Sequence, residues 1–142
     1  MSSIFTKIVR REIPAYIVAE DSNHIAFLDI NPNSFGHTLC VTKKEVDEIF
    51  DLSRTEYINL MNFSRKVALA LKKTVSCNRI GISVIGLEVP HVHVHLIPLN
   101  SMLDATFQKK INLSKAEMSE LSKKINSNFN FCLLYTSPSP RD

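Results

Sequence analysis

Three of the chain's five histidines fall within five residues, in Pro90-His91-Val92-His93-Val94-His95-Leu96. Alternate side chains of an extended strand share a face. His91, His93 and His95 therefore line one face, and Val92, Val94 and Leu96 line the other. The aliphatic face belongs in a core. The imidazole face needs a polar site, because buried ring nitrogens without partners are costly. Two chemistries want this array. Neutral imidazoles at alternate strand positions can converge on a metal ion such as zinc. Alternatively, one imidazole attacks phosphorus and forms a covalent phosphoramidate, while its neighbours hold the anionic oxygens and protonate the leaving group. Repulsion between imidazolium charges keeps the group from charging together near neutral pH, so a neutral nucleophile can persist beside a protonated donor.

His-x-His-x-His followed by apolar residues resembles the histidine triad family of nucleotide hydrolases and transferases, in its small Hint-like branch. The resemblance spans about residues 3–107 and includes several segments in order. These are Ile4-Phe5-Thr6-Lys7-Ile8 with Glu12-Ile13-Pro14, Phe27-Leu28-Asp29-Ile30-Asn31-Pro32, Gly36-His37-Thr38-Leu39, and Gly86-Leu87-Glu88-Val89-Pro90 ahead of the triad. It implies hydrolysis at the α-phosphorus of a purine nucleoside phosphoramidate or related mixed anhydride. His93 would be the nucleophile and carry a nucleotidyl-histidine intermediate. His91 and His95 would hold the phosphate and aid proton transfer, and His37 would join that network. Asp29 would accept from the ribose hydroxyls, and Phe5, Ile8, Ile13, Phe27 and Ile30 would line the purine slot. Read from the residues alone, those five apolar side chains fit ordinary core equally well, and Asp29 fits a strand-end turn. The resemblance also implies a homodimer and no cofactor. The alternatives are a dinucleoside polyphosphate hydrolase of the Fhit-like kind, and a nucleotide- or metal-binding protein with little turnover.

The chain departs from that family at several points. Some relatives carry Cys-x-x-Cys in the opening segment as half of a zinc site; here Ser3-Ile4-Phe5-Thr6 stands there, so no metal is expected. Many relatives place an amide side chain eleven residues before the first triad histidine, where this chain has Ile80, and Gly-Gln where it has Gly86-Leu87. Ser83 or Glu88 could compensate, and Glu88 could act as an acid or repel a second phosphate. His24 matches no motif and reads as a surface residue.

The elements that must position these residues follow from local patterns. Tyr16–Ala19 and His24–Ile30 are short β-rich runs, and Glu20-Asp21-Ser22-Asn23 between them is turn chemistry, so they read as a hairpin. His37–Thr42 is the next strand. Thr42-Lys43-Lys44-Glu45 has capping-box spacing and predicts a short helix over 43–50. Ser53-Arg54-Thr55-Glu56 opens a long helix to about Val75, with Tyr57, Leu60, Met61, Ser64, Val67, Ala68 and Leu71 as its buried stripe. Strands are expected over 79–86 and 91–99, and a terminal helix over 114–128. The order predicts a single α+β domain with an antiparallel sheet, a long helix and a C-terminal helix. The nucleotide-hydrolase domain would occupy 4–107 and a helical extension 108–131.

Residues 132–142, CLLYTSPSPRD, break the composition of the helix before them and match the translation of a transposase-type sequencing adaptor. They are set aside from fold reasoning as a non-native tail. The whole chain has 142 residues, 44% apolar and 22% charged, with a net charge of +3. These are ordinary globular values. The charge is too mild for nucleic acid as the main partner but suits a small anion such as a purine nucleotide. No run approaches the ~20 apolar residues of a membrane span. The opening residues have no secretory apolar region, and Cys40 and Cys77 show no disulfide or metal spacing, so a reducing cytoplasmic setting is expected.

Overall fold

The computed structural model describes residues 2–135, with side chains to Phe131. The elements are α1 (Ile4–Val9), β1 (Ile17–Glu20), β2 (His24–Leu28), β3 (Thr38–Thr42), α2 (Arg54–Thr74), β4 (Arg79–Ser83), β5 (His93–Leu99) and α3 (Lys115–Tyr135). The five strands form one antiparallel sheet in the order β1-β2-β3-β5-β4. This is the α+β arrangement that the sequence pattern predicts. The last helix continues past Asn128 into the segment set aside as a tail; residues 136–142 lie outside the described residues.

Strand alternation gives the sheet two different faces. Val94 and Leu96 of β5, Cys40 of β3, Ala26 and Leu28 of β2 and Val18 of β1 point to one side, where α2 and α3 cover them in the main core. On the other side lie Leu39 and Val41, cross-strand partners of His95 and His93. Ile25 and Phe27 join them, and α1 packs Phe5 and Ile8 onto this second, smaller cluster. The histidine face is thus half apolar floor and half polar site.

Helix α2 begins where expected. Ser53 Oγ accepts the Glu56 N–H, and the Glu56 carboxylate accepts the Ser53 N–H. Its buried stripe is rotated from the expected one: Phe63 and Ala70 are buried, whereas Tyr57 is exposed, because α3 as well as the sheet packs on this helix.

The short helix expected over 43–50 is absent; only a 3-10 turn at Ile49–Asp51 forms. The reason is long-range competition. The Val46 carbonyl accepts the Val92 N–H at 2.7 Å, and Glu45 is engaged by α1, so the segment is tied to the first helix and the triad instead of closing a helix of its own. One further reading is corrected. His24 is buried, with its ring stacked 5.0 Å from Phe63 and Nδ1 2.9 Å from Asp21 Oδ1. Ile80, partly buried, packs against the main core on the face away from the histidines.

Candidate active site

His93 and His95 enter from β5, and His91 lies just before the strand, with its N–H donating to the Val89 carbonyl. His37 comes from the β2–β3 connection. Gly36 allows that approach: it has φ +96°, and a Cβ there would stand 2.9 Å from Val75 Cγ2 and 3.1 Å from Leu71 Cδ1. Turn and packing both exclude a side chain at this position.

Groups that can only donate or only accept set the imidazole tautomers. The Asn33 N–H can only donate, and it lies 3.0 Å from His37 Nδ1. His37 therefore carries its proton on Nε2 and donates it to His95 Nδ1 at 2.9 Å. His95 in turn carries its proton on Nε2, which is left as a donor. Carbonyl oxygens can only accept. His93 Nδ1 lies 2.7 Å from the His91 carbonyl, so that nitrogen carries the proton and Nε2 keeps a lone pair. The site thus presents a nucleophilic nitrogen on His93 beside an N–H on His95, with ring centroids 4.9 Å apart.

His91 is fastened at both ends. Its Nε2–H donates to the Thr42 carbonyl at 2.7 Å, and its Nδ1 accepts from the Ser3 hydroxyl at 2.6 Å. Ser3 Oγ also accepts the Thr6 N–H as the N-cap of α1. Glu45 completes the cluster, accepting the Ser3 N–H at 2.7 Å and the Thr6 hydroxyl at 2.6 Å. These bonds hold the Glu45 carboxyl down at about 2. The expectation that His91 holds phosphate meets a ring that is fully buried and has no nitrogen left to offer. Its carbonyl, by contrast, orients the ring of His93.

Burial favours the neutral form of His37, His91 and His95. It pushes His37 down to about 3, with the charges of His95 and Lys110 acting in the same direction. Burial also lowers His95 to about 4, helped by His93 and Lys110. His91 is lowered by burial too, against the opposing pull of the Thr42 carbonyl and Glu45. Asp29 lies near this group, with Oδ2 3.6 Å from His37 Nε2 and Oδ1 accepting the Asn31 N–H. Burial raises its carboxyl, and the nearby charge of Glu88 adds to that.

The structure brings His37, His91, His93, His95 and Asp29 together and sets Phe5 against them, with its ring 4.9 Å from His93 and 5.7 Å from His91. Ile8 and Phe27 lie beneath in the smaller cluster, and Ile13 packs on its edge. Ile30 does not join them; it is 79% exposed. Ser83 pairs across from His95 on the same face. Among the described residues the convergent metal-capable donors are Asp29, His37 and His95, mutually within 4.8 Å, rather than the three triad histidines.

Several residues of the site carry no sequence signal of their own. Fully buried Asn33 gives its N–H to His37, while its side chain donates to the Asp104 carbonyl and accepts from Lys110. Phe107, in the connection after β5, adopts φ 63°. This left-handed conformation costs a non-glycine residue on the order of 1–3 kcal/mol. It places the ring 4.9 Å from His95 and 5.9 Å from His37.

Residues 10–102 match the HIT domain family. An uncharacterized HIT-like protein of Borreliella burgdorferi is 34% identical over 134 residues, covering 88% of this chain and 96% of the relative. The adenosine 5'-monophosphoramidase of Saccharomyces cerevisiae is 34% identical over 96 residues, covering 67% of this chain and 61% of the yeast protein. Among solved structures, a Hit-like protein of Bartonella henselae involved in cell-cycle regulation superimposes with a TM-score of 0.78 at 30% identity, covering 89% of this chain and 96% of its own.

Proposed function

This chain belongs to the HIT domain family, and on that premise we propose that it hydrolyses purine nucleoside phosphoramidates or related mixed anhydrides at the α-phosphorus. The observation that carries the reading is the tautomer pattern. His93 Nδ1–H is committed to the His91 carbonyl, which leaves the Nε2 lone pair for attack. In the proposed reaction that lone pair attacks the α-phosphorus and the bond from phosphorus to the leaving group breaks. The leaving group departs with a proton from water. The His95 Nε2–H, aimed through His37 and Asn33, donates to a phosphoryl oxygen where charge builds up. Water then attacks the nucleotidyl-histidine, the phosphorus–nitrogen bond breaks, and His93 is restored. Asp29 accepts from the ribose, and Phe5, Ile8, Ile13 and Phe27 form the purine side. The printed activity of the yeast relatives supports this substrate class. The metal-binding alternative is less well supported, because the facing nitrogens of His37 and His95 already bond each other.

We also place the protein in a homodimer. β4 is an edge strand, and the exposed apolar side chains of Ile82, Val84 and Ile85 lie on it and just beyond it. Among the described residues no helix is long and apolar enough to cross a membrane. Cys40 and Cys77 are free thiols, as a reducing cytoplasmic compartment would keep them.

The test is AMP release from adenosine 5′-phosphoramidate by the full chain and by His93→Ala, with intact-mass detection of an adenylated protein after rapid quenching. AMP release and an adduct in the parent, both lost in His93→Ala, are expected. Equal release by both proteins would remove His93 as nucleophile. Release by neither would favour a binding protein.

A further inference from the structure

A nucleotide brings anionic phosphoryl oxygens into a site that has little positive charge of its own. Burial keeps His37, His91 and His95 neutral at physiological pH, and Asp29 and Glu88 add negative charge nearby. Some other group must balance the ligand. Lys110 is placed to do so. Its ammonium donates to Asn33 Oδ1 at 2.7 Å and lies 5.0 Å over the ring of Phe107, the same ring that abuts His95 and His37.

We propose that Lys110 is a phosphate-binding residue of this site, its ammonium taking the anionic oxygens of the nucleotide's 5′-phosphoryl group. The inference rests on the nucleotide-hydrolase reading and deepens it. The placement is built. Phe107 turns the chain back through its left-handed backbone. The Ile111 N–H, directly after Lys110, is tied to the Pro32 carbonyl at 3.0 Å. The side chain of Asn33 donates to the Asp104 carbonyl on the same connection. One buried residue thus aims His37 with its backbone and Lys110 with its side chain. An ammonium has three donors, and Asn33 takes one. Among the described residues, lysine ion pairs involve Lys43, Lys44, Lys109 and Lys124; the charge of Lys110 reaches the Asp29 carboxyl without a direct ion pair between them.

The experiment measures binding of AMP and of adenosine by calorimetry to the full-length parent, Lys110→Met and Lys110→Arg, at low and moderate salt. Loss of a charge-assisted hydrogen bond to phosphate should weaken AMP about 10- to 100-fold in Lys110→Met. Adenosine affinity should change less than about 2-fold, since the nucleoside makes no such bond. Lys110→Arg should keep AMP affinity within about 3-fold, because the charge remains. The salt dependence of AMP binding should be shallower in Lys110→Met than in the parent. Unchanged AMP affinity in Lys110→Met, with the parent binding AMP, would overturn the role of Lys110 and leave the hydrolase reading intact. Equal weakening of AMP and adenosine would also overturn it, assigning the lysine to the shape of the connection. A parent that binds neither ligand would overturn both readings.

Discussion

Mild acid should destabilise this fold well above the range in which carboxylates titrate. His37 and His95 protonate only near 3 and 4 in the folded chain, against 6.5 as the reference for an unfolded histidine. Between those values the unfolded state binds protons that the folded state refuses. Stability is therefore complete above about pH 6.5, falls as the pH drops toward 4 and 3, and stops falling below them. Integrated from pH 7 to pH 5, each histidine costs about 2 kcal/mol. The two share a hydrogen bond and titrate as a pair, so about 4 kcal/mol bounds their joint effect. That is a large share of the ~5–15 kcal/mol of a typical domain. Asp29 acts in the opposite sense, since burial raises its carboxyl and the folded state takes up that proton more readily. His37→Gln isolates the histidine effect. The amide can still donate to His95 Nδ1 but does not titrate. Urea unfolding followed by circular dichroism at pH 5, 6, 7 and 8 should show the parent losing up to about 4 kcal/mol from pH 7 to 5, and His37→Gln no more than about 2. Parallel curves for the two proteins would refute the claim that burial holds His37 neutral.

Ser3→Ala removes the hydroxyl that satisfies His91 Nδ1 and caps α1, and should cost about 1–3 kcal/mol in denaturant titrations. It should also lower kcat more than it raises KM in phosphoramidate assays, because the loosened His91 backbone orients His93. Gly36→Ala should destabilise by at least about 2 kcal/mol, since φ +96° and contacts at 2.9 to 3.2 Å both oppose a methyl group; a melting curve matching the parent's would contradict this. Burial lifts the Cys40 thiol to about 12. With Cys77 and Cys132 replaced by serine, a disulfide reagent should label Cys40 at the rate of unfolding, and prompt labelling of the native protein would count against that burial.

Much of the fold could be read from the chain because local patterns carried it. The alternation around His93 separated the core face from the site face, and the capping box at Ser53 marked the start of α2. Other features depend on contacts that no local window contains. Glu45 has the spacing of a capping-box residue, yet its carboxylate serves Ser3 and Thr6, about forty positions away in the chain. His24 lacks a motif, and only the docking of α2 brings Phe63 against its ring. The set Asp29, His37 and His91 to His95 was legible from residue types and spacing together with the resemblance. Asn33, Phe107 and Lys110 were not. Asn33 reads as an ordinary loop residue, and the turn that returns Lys110 to the site depends on a backbone conformation of Phe107 that its residue type disfavours.

Four of the bonds that organise the site join parts of the chain far apart in sequence. Ser3 to His91 spans 88 positions, Lys110 to Asn33 77, Asn33 to Asp104 71 and His37 to His95 58. Each closes a long loop, whose entropic cost must be met before the contact returns anything. A collapsed intermediate with α2 and α3 formed would have helical circular dichroism but no aimed imidazoles. Recovery of activity during refolding should therefore lag behind recovery of helix signal and report the last consolidation of the native topology. The site is in effect a sensor for complete folding, because its long-range bonds close only when segments from Ser3 to Lys110 have come together.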